Sequence, residues 1–135
     1  MEPFKIKATQ VTPRVYFNPN ESYLEIKGVS KLENPRNFYE PIFDLIDTFR
    51  FYCQINQGLI GEDSPFEVQL YFTYFNSGSL NFIIELAKKL KFLSEEGIIV
   101  NLSWCYDKHD VHVKETGLNI ASLLNMEFSF FEIVC

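Results

Sequence analysis

The chain has 135 residues and a formal net charge of -6, and 47% of its residues are hydrophobic and 16% aromatic. This length fits a single domain, residues 1–135, and the apolar content excludes a disordered chain. An acidic domain repels the phosphates of nucleic acids and of anionic lipids, so we expect neither a nucleic acid nor a membrane surface as partner.

Two short strands near the N-terminus predict an antiparallel hairpin. Residues 15–17 and 23–26 are rich in aromatic and β-branched side chains, which are typical of strands. The residues between them, 18–21, have the Asn-Pro-Asn-Glu composition of a turn. The hairpin therefore gives the sheet an antiparallel part.

A first helix is predicted from Asn34-Pro35 onwards. Asn can cap the free N–H groups of a helix, and Pro suits the first helical position because it has no N–H to lose. Apolar residues then recur at helical spacing: Phe38, Ile42, Leu45, Ile46, Phe49 and Cys53. Gly58 and Gly61 mark the exit from this helix and a loop that runs to Pro65.

The rest of the chain predicts two more strand–helix pairs and a last strand. Residues 66–75 alternate, with one face formed by Phe66, Val68, Leu70, Phe72 and Tyr74, and the other by Glu67, Gln69, Tyr71, Thr73 and Phe75. A helical stripe follows over residues 80–93, and residues 98–106 alternate again. A weaker helix covers about 111–125, and residues 127–134 form the last strand.

The predicted element order is β-β-α-β-α-β-α-β, an α/β (α+β) domain with a mixed sheet. Strand–helix–strand units imply right-handed crossovers and parallel neighbours, whereas the N-terminal hairpin is antiparallel. The central strands have one apolar face and one mixed face, so we expect the helices mainly on one face of the sheet.

The candidate functional site is the junction at residues 74–79, Tyr-Phe-Asn-Ser-Gly-Ser, where a strand ends and a helix begins. The first turn of a helix has free N–H groups and the positive end of the dipole, so it can hold a phosphate. We predict a phosphorylation switch at Ser77, with Asn76, Gly78 and Ser79 as the phosphate environment. Gly78 leaves space beside Ser77 for the catalytic group of another protein. Plain helix capping by Asn and Ser is the alternative interpretation.

Five segments, in order along the chain, resemble motifs of one known family. They are residues 9–13 (Thr-Gln-Val-Thr-Pro), 28–34, 38–42 (Phe-Tyr-Glu-Pro-Ile), 74–79 and 103–107 (Ser-Trp-Cys-Tyr-Asp). Together they resemble the SiaC family of regulatory phosphoproteins over nearly the whole chain.

This resemblance implies a fold like that of the anti-sigma-factor antagonists, the STAS domains. It implies that a cognate Ser/Thr kinase phosphorylates Ser77, or alternatively Ser79, and that a PP2C-type phosphatase reverses this. It further implies an output partner, which in the family is a diguanylate cyclase that controls biofilm formation. Phe75, Asn76 and Ser77 would then form the partner surface, on a protein that is not an enzyme and needs no cofactor.

The chain departs from the family pattern at three places. Gly78 occupies a position where the family has serine, and Leu32 stands where the family has proline. The acidic cluster usual after the Trp-x-Tyr-Asp motif is reduced to Lys-His-Asp at 108–110. With glycine at position 78, Ser77 and Ser79 remain as the candidate acceptors of the phosphate.

Two other functions remain open on the sequence. One is an interaction domain without a switch. The other is a small metal-dependent hydrolase built on Asp107, His109, Asp110 and His112, since two His and two Asp within six residues contain the ligand types of a metal site. Their spacing matches no known metal-binding signature.

The cysteines and the chain's hydropathy predict the compartment. Cys53, Cys105 and Cys135 are an odd number without regular spacing, which argues against a disulfide framework. No stretch reaches the ~18 apolar residues of a membrane span, and the N-terminus lacks the apolar run of a signal peptide. We therefore expect reduced thiols in the cytoplasm.

Overall fold

A computed structural model describes residues 1–56 and 64–134 of the chain. These residues form one six-stranded sheet and three helices. The elements are β1 (Phe4–Ile6), β2 (Arg14–Asn18), β3 (Tyr23–Ser30), α1 (Pro35–Ile55), β4 (Phe66–Phe75), α2 (Ser77–Glu95), β5 (Val100–Asp107), α3 (Val111–Leu124) and β6 (Phe128–Ile133). The predicted loop at Gly58 and Gly61 lies outside the described residues.

The sheet has the order β1-β2-β3-β4-β5-β6. β1, β2 and β3 pair antiparallel, and β3 to β6 pair parallel, each joined to the next by one helix. Because each crossover leads to the adjacent strand in the same direction, right-handed connections place all three helices on one face. The predicted mixed sheet is confirmed, and β1 is an addition that the sequence reading missed.

The core lies between the helices and this face of the sheet. Trp104 at its centre is 1% exposed, and its indole N–H donates to the carbonyl of Val113 in α3 (2.9 Å). A Cβ at Gly117 would lie 2.5 Å from the indole ring. Only glycine therefore lets α3 pack this closely against Trp104.

A β-bulge interrupts the alternation of β4. The register with β3 shifts from Gly28 opposite Phe72 to Val29 opposite Tyr74, so Thr73 is the extra residue. Beyond the bulge the faces are exchanged, so Tyr74 is 47% exposed and Phe75 is buried in the core. The prediction that Tyr74 shares the apolar face and that Phe75 points the other way is therefore wrong.

The start of α1 also differs in one respect from the prediction. Pro35 is the first helical residue, as expected, but the side chain of Asn34 makes no capping hydrogen bond. None of the helices within residues 1–56 and 64–134 combines the length and apolar character needed to cross a bilayer.

Candidate functional site

The site lies where β4 ends and α2 begins, and Asn76 holds it in place. Asn76 has an extended backbone, and its side-chain oxygen accepts the N–H of Ser79 (2.9 Å). Its side-chain nitrogen donates to the carbonyl of Leu32 (3.1 Å), and its backbone N–H donates to that of Ser30 (3.0 Å). Asn76 therefore caps α2 and ties its start to the segment between β3 and α1.

Ser77 is the first residue of α2, and its side chain is exposed. Gly78 next to it is also exposed. The first turn of α2 contains no acidic residue, so no side chain there repels an added anion. The structure thus places the Ser77 hydroxyl at a helix N-terminus where another protein can reach it.

Ser79 has a different environment from Ser77. It is 0% exposed, and its hydroxyl accepts a hydrogen bond from the hydroxyl of Ser30 (2.9 Å). Ser30 in turn lies 2.7 Å from the hydroxyl of Tyr39 in α1. We call Ser30, Tyr39 and Ser79 the buried hydroxyl network; it joins β3, α1 and α2 beneath the exposed serine.

Burial also determines the charge state of this network. It raises the pKa of Tyr39 from 10.0 to about 12, an effect that the hydrogen bond with Ser30 opposes. The hydroxyl of Tyr39 is therefore protonated at all physiological pH values. The network is neutral and holds the three elements together without a buried charge.

The start of α1 lies beside the start of α2. A Cβ at Gly78 would be 3.5 Å from Cγ of Pro35, which is ordinary van der Waals contact. Arg36, the next residue of α1, is exposed and forms an ion pair with Glu40 (2.9 Å). Since the first turn of α1 also lacks acidic residues, two positive helix ends meet near Ser77.

The predicted partner surface needs one correction. Phe75 is only 7% exposed and its ring packs against Phe72 (6.4 Å between centroids), because the bulge at Thr73 turns it towards the core. It offers a partner almost no surface. Tyr74, which the sequence reading assigned to the core face, is 47% exposed near the end of β4.

The residues of the alternative metal site have other partners. Asp107 accepts a hydrogen bond from the hydroxyl of Tyr71, and Asp110 caps α3 by accepting the N–H of Val113 (3.1 Å). The ring of His112 packs against Phe75, with 5.5 Å between centroids. The exposed His109 joins no metal-binding group, since the described residues contain no cluster of three or more His, Cys, Asp or Glu that could hold an ion.

The buried hydroxyl network was not predicted from the sequence, although the spacing of the apolar residues in α1 indicates that one of its members, Tyr39, is buried. Tyr39, Ile42, Phe43 and Ile46 are the buried residues of the first turns of α1 and have better helical spacing than a stripe that begins at Phe38. That spacing identifies Tyr39 as a core residue. The hydrogen bond of Tyr39 to Ser30 depends on how α1 packs over β3, and a local sequence pattern gives no information about that packing.

The fold is similar to that of SiaC from Pseudomonas aeruginosa in two solved structures. The structure of apo-SiaC from Pseudomonas aeruginosa matches with a TM-score of 0.81 at 22% identity, covering 97% of this chain and 99% of that one. SiaC in a crystal structure with the diguanylate cyclase SiaD, which it activates, matches with a TM-score of 0.79 at 22% identity, covering 96% and 99%. These matches establish the fold; the likeness to STAS domains stays an expectation.

The sequence comparisons agree with the fold. An uncharacterized protein of P. aeruginosa strain UCBPP-PA14, PA14_02130, is 25% identical over 115 residues, which are 85% of this chain and 84% of that protein. The model of the SiaC family of regulatory phosphoproteins matches residues 6–133. The chain therefore belongs to the SiaC family of regulatory phosphoproteins.

Proposed function

We propose that this protein is a binding protein switched by phosphorylation of Ser77, and that it acts by controlling a partner rather than by catalysis. The observation that carries the proposal is the contrast between Ser77, which is exposed at the first position of α2, and Ser79, which is 0% exposed. A kinase must bring its active site to the hydroxyl it modifies, so it can reach Ser77 without unfolding the helix. Because the phosphate comes from ATP, the proposal places the protein in the cytoplasm.

The environment of Ser77 favours an attached phosphate. A phosphate adds about -1.5 to -2 charges and three strong acceptor oxygens. The free N–H groups of the first turn of α2 and the dipoles of α1 and α2 both act on it favourably. Arg36 in the neighbouring first turn is an exposed cation, which pairs with Glu40 one turn further on, and no acidic residue lies in either first turn.

The same phosphate would weaken binding of a partner to this surface. Tyr74 and Ser77 are exposed, Asn76 is half-buried, and none of the three carries a charge. An added phosphate must lose its hydration when a partner covers it, and it repels any acidic group opposite. We therefore assign partner binding to the unphosphorylated form.

Three partners follow from this proposal: a cognate Ser/Thr kinase, a PP2C-type phosphatase and an output protein. A diguanylate cyclase is our choice for the output protein, which would make the switch part of cyclic-di-GMP signalling and biofilm control. The support for this choice is the P. aeruginosa complex in which SiaC is the activator of the diguanylate cyclase SiaD. The kinase and the phosphatase rest on the family resemblance.

The experiment is phosphorylation of purified protein by the cognate kinase and ATP, followed by intact mass and peptide mapping. We expect a single phosphate on the wild type and on Ser79→Ala, and none on Ser77→Ala. Circular dichroism of each variant separates loss of the acceptor from loss of the fold. Undiminished labelling of Ser77→Ala would contradict the assignment and move the acceptor elsewhere.

The second arm measures binding of the unphosphorylated and phosphorylated proteins to the candidate cyclase. We expect the phosphorylated form to bind at least tenfold more weakly, and Ser77→Ala to bind as well as the unphosphorylated wild type does. Equal affinities of the two forms would favour an interaction domain without a switch.

A further inference from the structure

A groove of about 670 Å³ lies between α1 and α2 and borders the helix face that carries Ser77. On the α2 side it is lined by Asn81, Ile84 and Lys88, among other residues. These three follow Ser77 by four, seven and eleven positions, which is the spacing of a single helix face. The side chain of Ser77 is therefore in line with the groove, one turn before Asn81.

Arg36 lines the same groove from the first turn of α1. Its guanidinium carbon is 5.6 Å from the centre of the Phe82 ring. Phe82 follows Gly78 by four residues, so the two share a face of α2 one turn apart. Cγ of Pro35, the residue before Arg36, is 3.5 Å from the position of a Cβ at Gly78. These contacts place the guanidinium beside the first turns of α2, where Ser77 is.

The present partner of Arg36 holds it only weakly. Arg36 pairs with Glu40 at 2.9 Å, and the two side chains are 66% and 53% exposed. Exposed pairs of this spacing contribute little to stability, because water screens the charges and two long side chains lose freedom. A phosphate carries up to two charges, and its oxygens accept two parallel N–H groups of a guanidinium. A phosphate on Ser77 therefore competes with Glu40 for the same side chain.

We propose that Arg36 is the receptor for a phosphate on Ser77 and exchanges Glu40 for it when Ser77 is modified; this rests on the proposed function, which makes Ser77 the acceptor. The exchange leaves Glu40 unpaired in the groove. Phosphorylation then changes the charge of the groove as well as that of the helix start. Gly78 favours the exchange, because it faces Pro35 and adds no side chain on the path from α1 to Ser77.

The groove also contains a matched control for Arg36. Among the described residues that line it, Lys88 is the one other cation, and Glu40 and Glu85 are the anions. Lys88 lies eleven residues beyond Ser77, about 16 Å along the helix axis, and pairs with Glu85 (3.2 Å). Lys88 is too far along α2 to bind the phosphate, although it carries the same charge as Arg36.

The first test follows the titration of a phosphoserine at position 77 by ³¹P NMR. The phosphoserine is incorporated during translation at an amber codon, so no kinase is needed. The second pKa of such a phosphate is about 6, and a bound cation lowers it by favouring the dianion. We expect Arg36→Gln to raise the titration midpoint by about half a pH unit or more, and Lys88→Gln to leave it unchanged. Equal midpoints in the wild type and Arg36→Gln, or equal shifts in the two variants, would overturn the proposal.

The second test removes the competitor instead of the receptor. Glu40→Gln frees Arg36, so we expect it to lower the midpoint in the wild type and to have little effect in an Arg36→Gln background. A shift of the same size in both backgrounds would mean that Glu40 acts on the phosphate directly, and would contradict the exchange. All three substituted residues are exposed, and circular dichroism confirms that each variant is folded. A negative result here leaves the choice of acceptor untouched, because labelling by the kinase tests that choice separately.

Discussion

The two sides of the first turn of α2 carry the same residue type in opposite environments. Ser77 is exposed, whereas Ser79 is completely buried and bonded to Ser30. Residues two positions apart in an α-helix, such as Ser77 and Ser79, are separated by about 200° around its axis, so one can face the solvent and the other the core. Under the proposed function, accessibility rather than residue type makes Ser77 and not Ser79 the serine that a kinase can modify.

The strongest test of this comparison places an aspartate at each serine in turn. Ser79→Asp buries a carboxylate among neutral hydroxyl groups, and we expect it to lower the free energy of unfolding by about 3–5 kcal/mol or to prevent folding. Ser77→Asp places the same charge at an exposed helix N-terminus, and we expect a change within about 1 kcal/mol, in the stabilising direction. Urea unfolding followed by circular dichroism measures both.

Ser79→Ala is the matched control for this pair. It keeps the volume of the site nearly unchanged and removes one acceptor, so it should cost about 1–2 kcal/mol, less than Ser79→Asp. Similar costs for aspartate at the two positions would show that the buried and exposed sides of the turn do not differ as described.

A smaller effect is expected from the two asparagines that precede α1 and α2. Asn76 caps α2 and also bonds the carbonyl of Leu32, whereas Asn34 makes no capping bond. We expect Asn76→Ala to lower the free energy of unfolding by about 1–2 kcal/mol and Asn34→Ala by less than about 0.5 kcal/mol. Thermal or urea unfolding compares them, and equal losses would show that Asn76 does not hold the site.

The smallest effect on the free energy of unfolding is expected at Tyr39, the member of the buried hydroxyl network in α1, and this effect depends on pH. At neutral pH we expect Tyr39→Phe to lower the free energy of unfolding by about 1 kcal/mol, because Ser30 keeps its bond to Ser79. The pKa of Tyr39 is raised from 10.0 to about 12 in the folded state. Between these values the unfolded chain releases its proton first, so the stability of the wild type falls as pH rises.

Tyr39→Phe lacks this titrating group. Its free energy of unfolding should therefore approach or exceed that of the wild type between pH 10 and 12. Urea unfolding at pH 8, 10 and 11 measures the difference between the two proteins. Tyr23, whose pKa is also raised to about 12, is present in both and affects both alike. A deficit that stays constant with pH would mean that Tyr39 ionises as freely in the folded state as in the unfolded chain.

Much of the fold was predictable because periodic patterns record which face of an element is buried. The alternation over residues 66–72 and the helical stripe beyond Ser79 match the structure. β1 was missed because three residues are too few to show a period. The bulge was missed because Thr73 is an ordinary strand residue, and its extra position exists only relative to the register of β3.

The local part of the candidate site was also predictable from the sequence. Asn76 and Ser77 could be assigned to a helix start, because capping is local chemistry. Ser79 lies four residues before the buried Ile83 and so continues the inner stripe of α2, but a serine does not count in an apolar pattern. Its partner Ser30 is 49 residues away in the chain, and contacts over such separations depend on the complete fold.

The side-chain amide of Asn76 connects the start of α2 to Leu32, so the surface around Ser77 is built from two segments that are distant in the sequence. A side-chain amide carries an acceptor and a donor on separate atoms: the oxygen of Asn76 accepts the N–H of Ser79, and its nitrogen donates to the carbonyl of Leu32. Aspartate would preserve the first contact and lose the second. A protein that docks at Ser77 thus meets a composite epitope, and substitutions near Leu32 should alter its recognition as directly as those in α2.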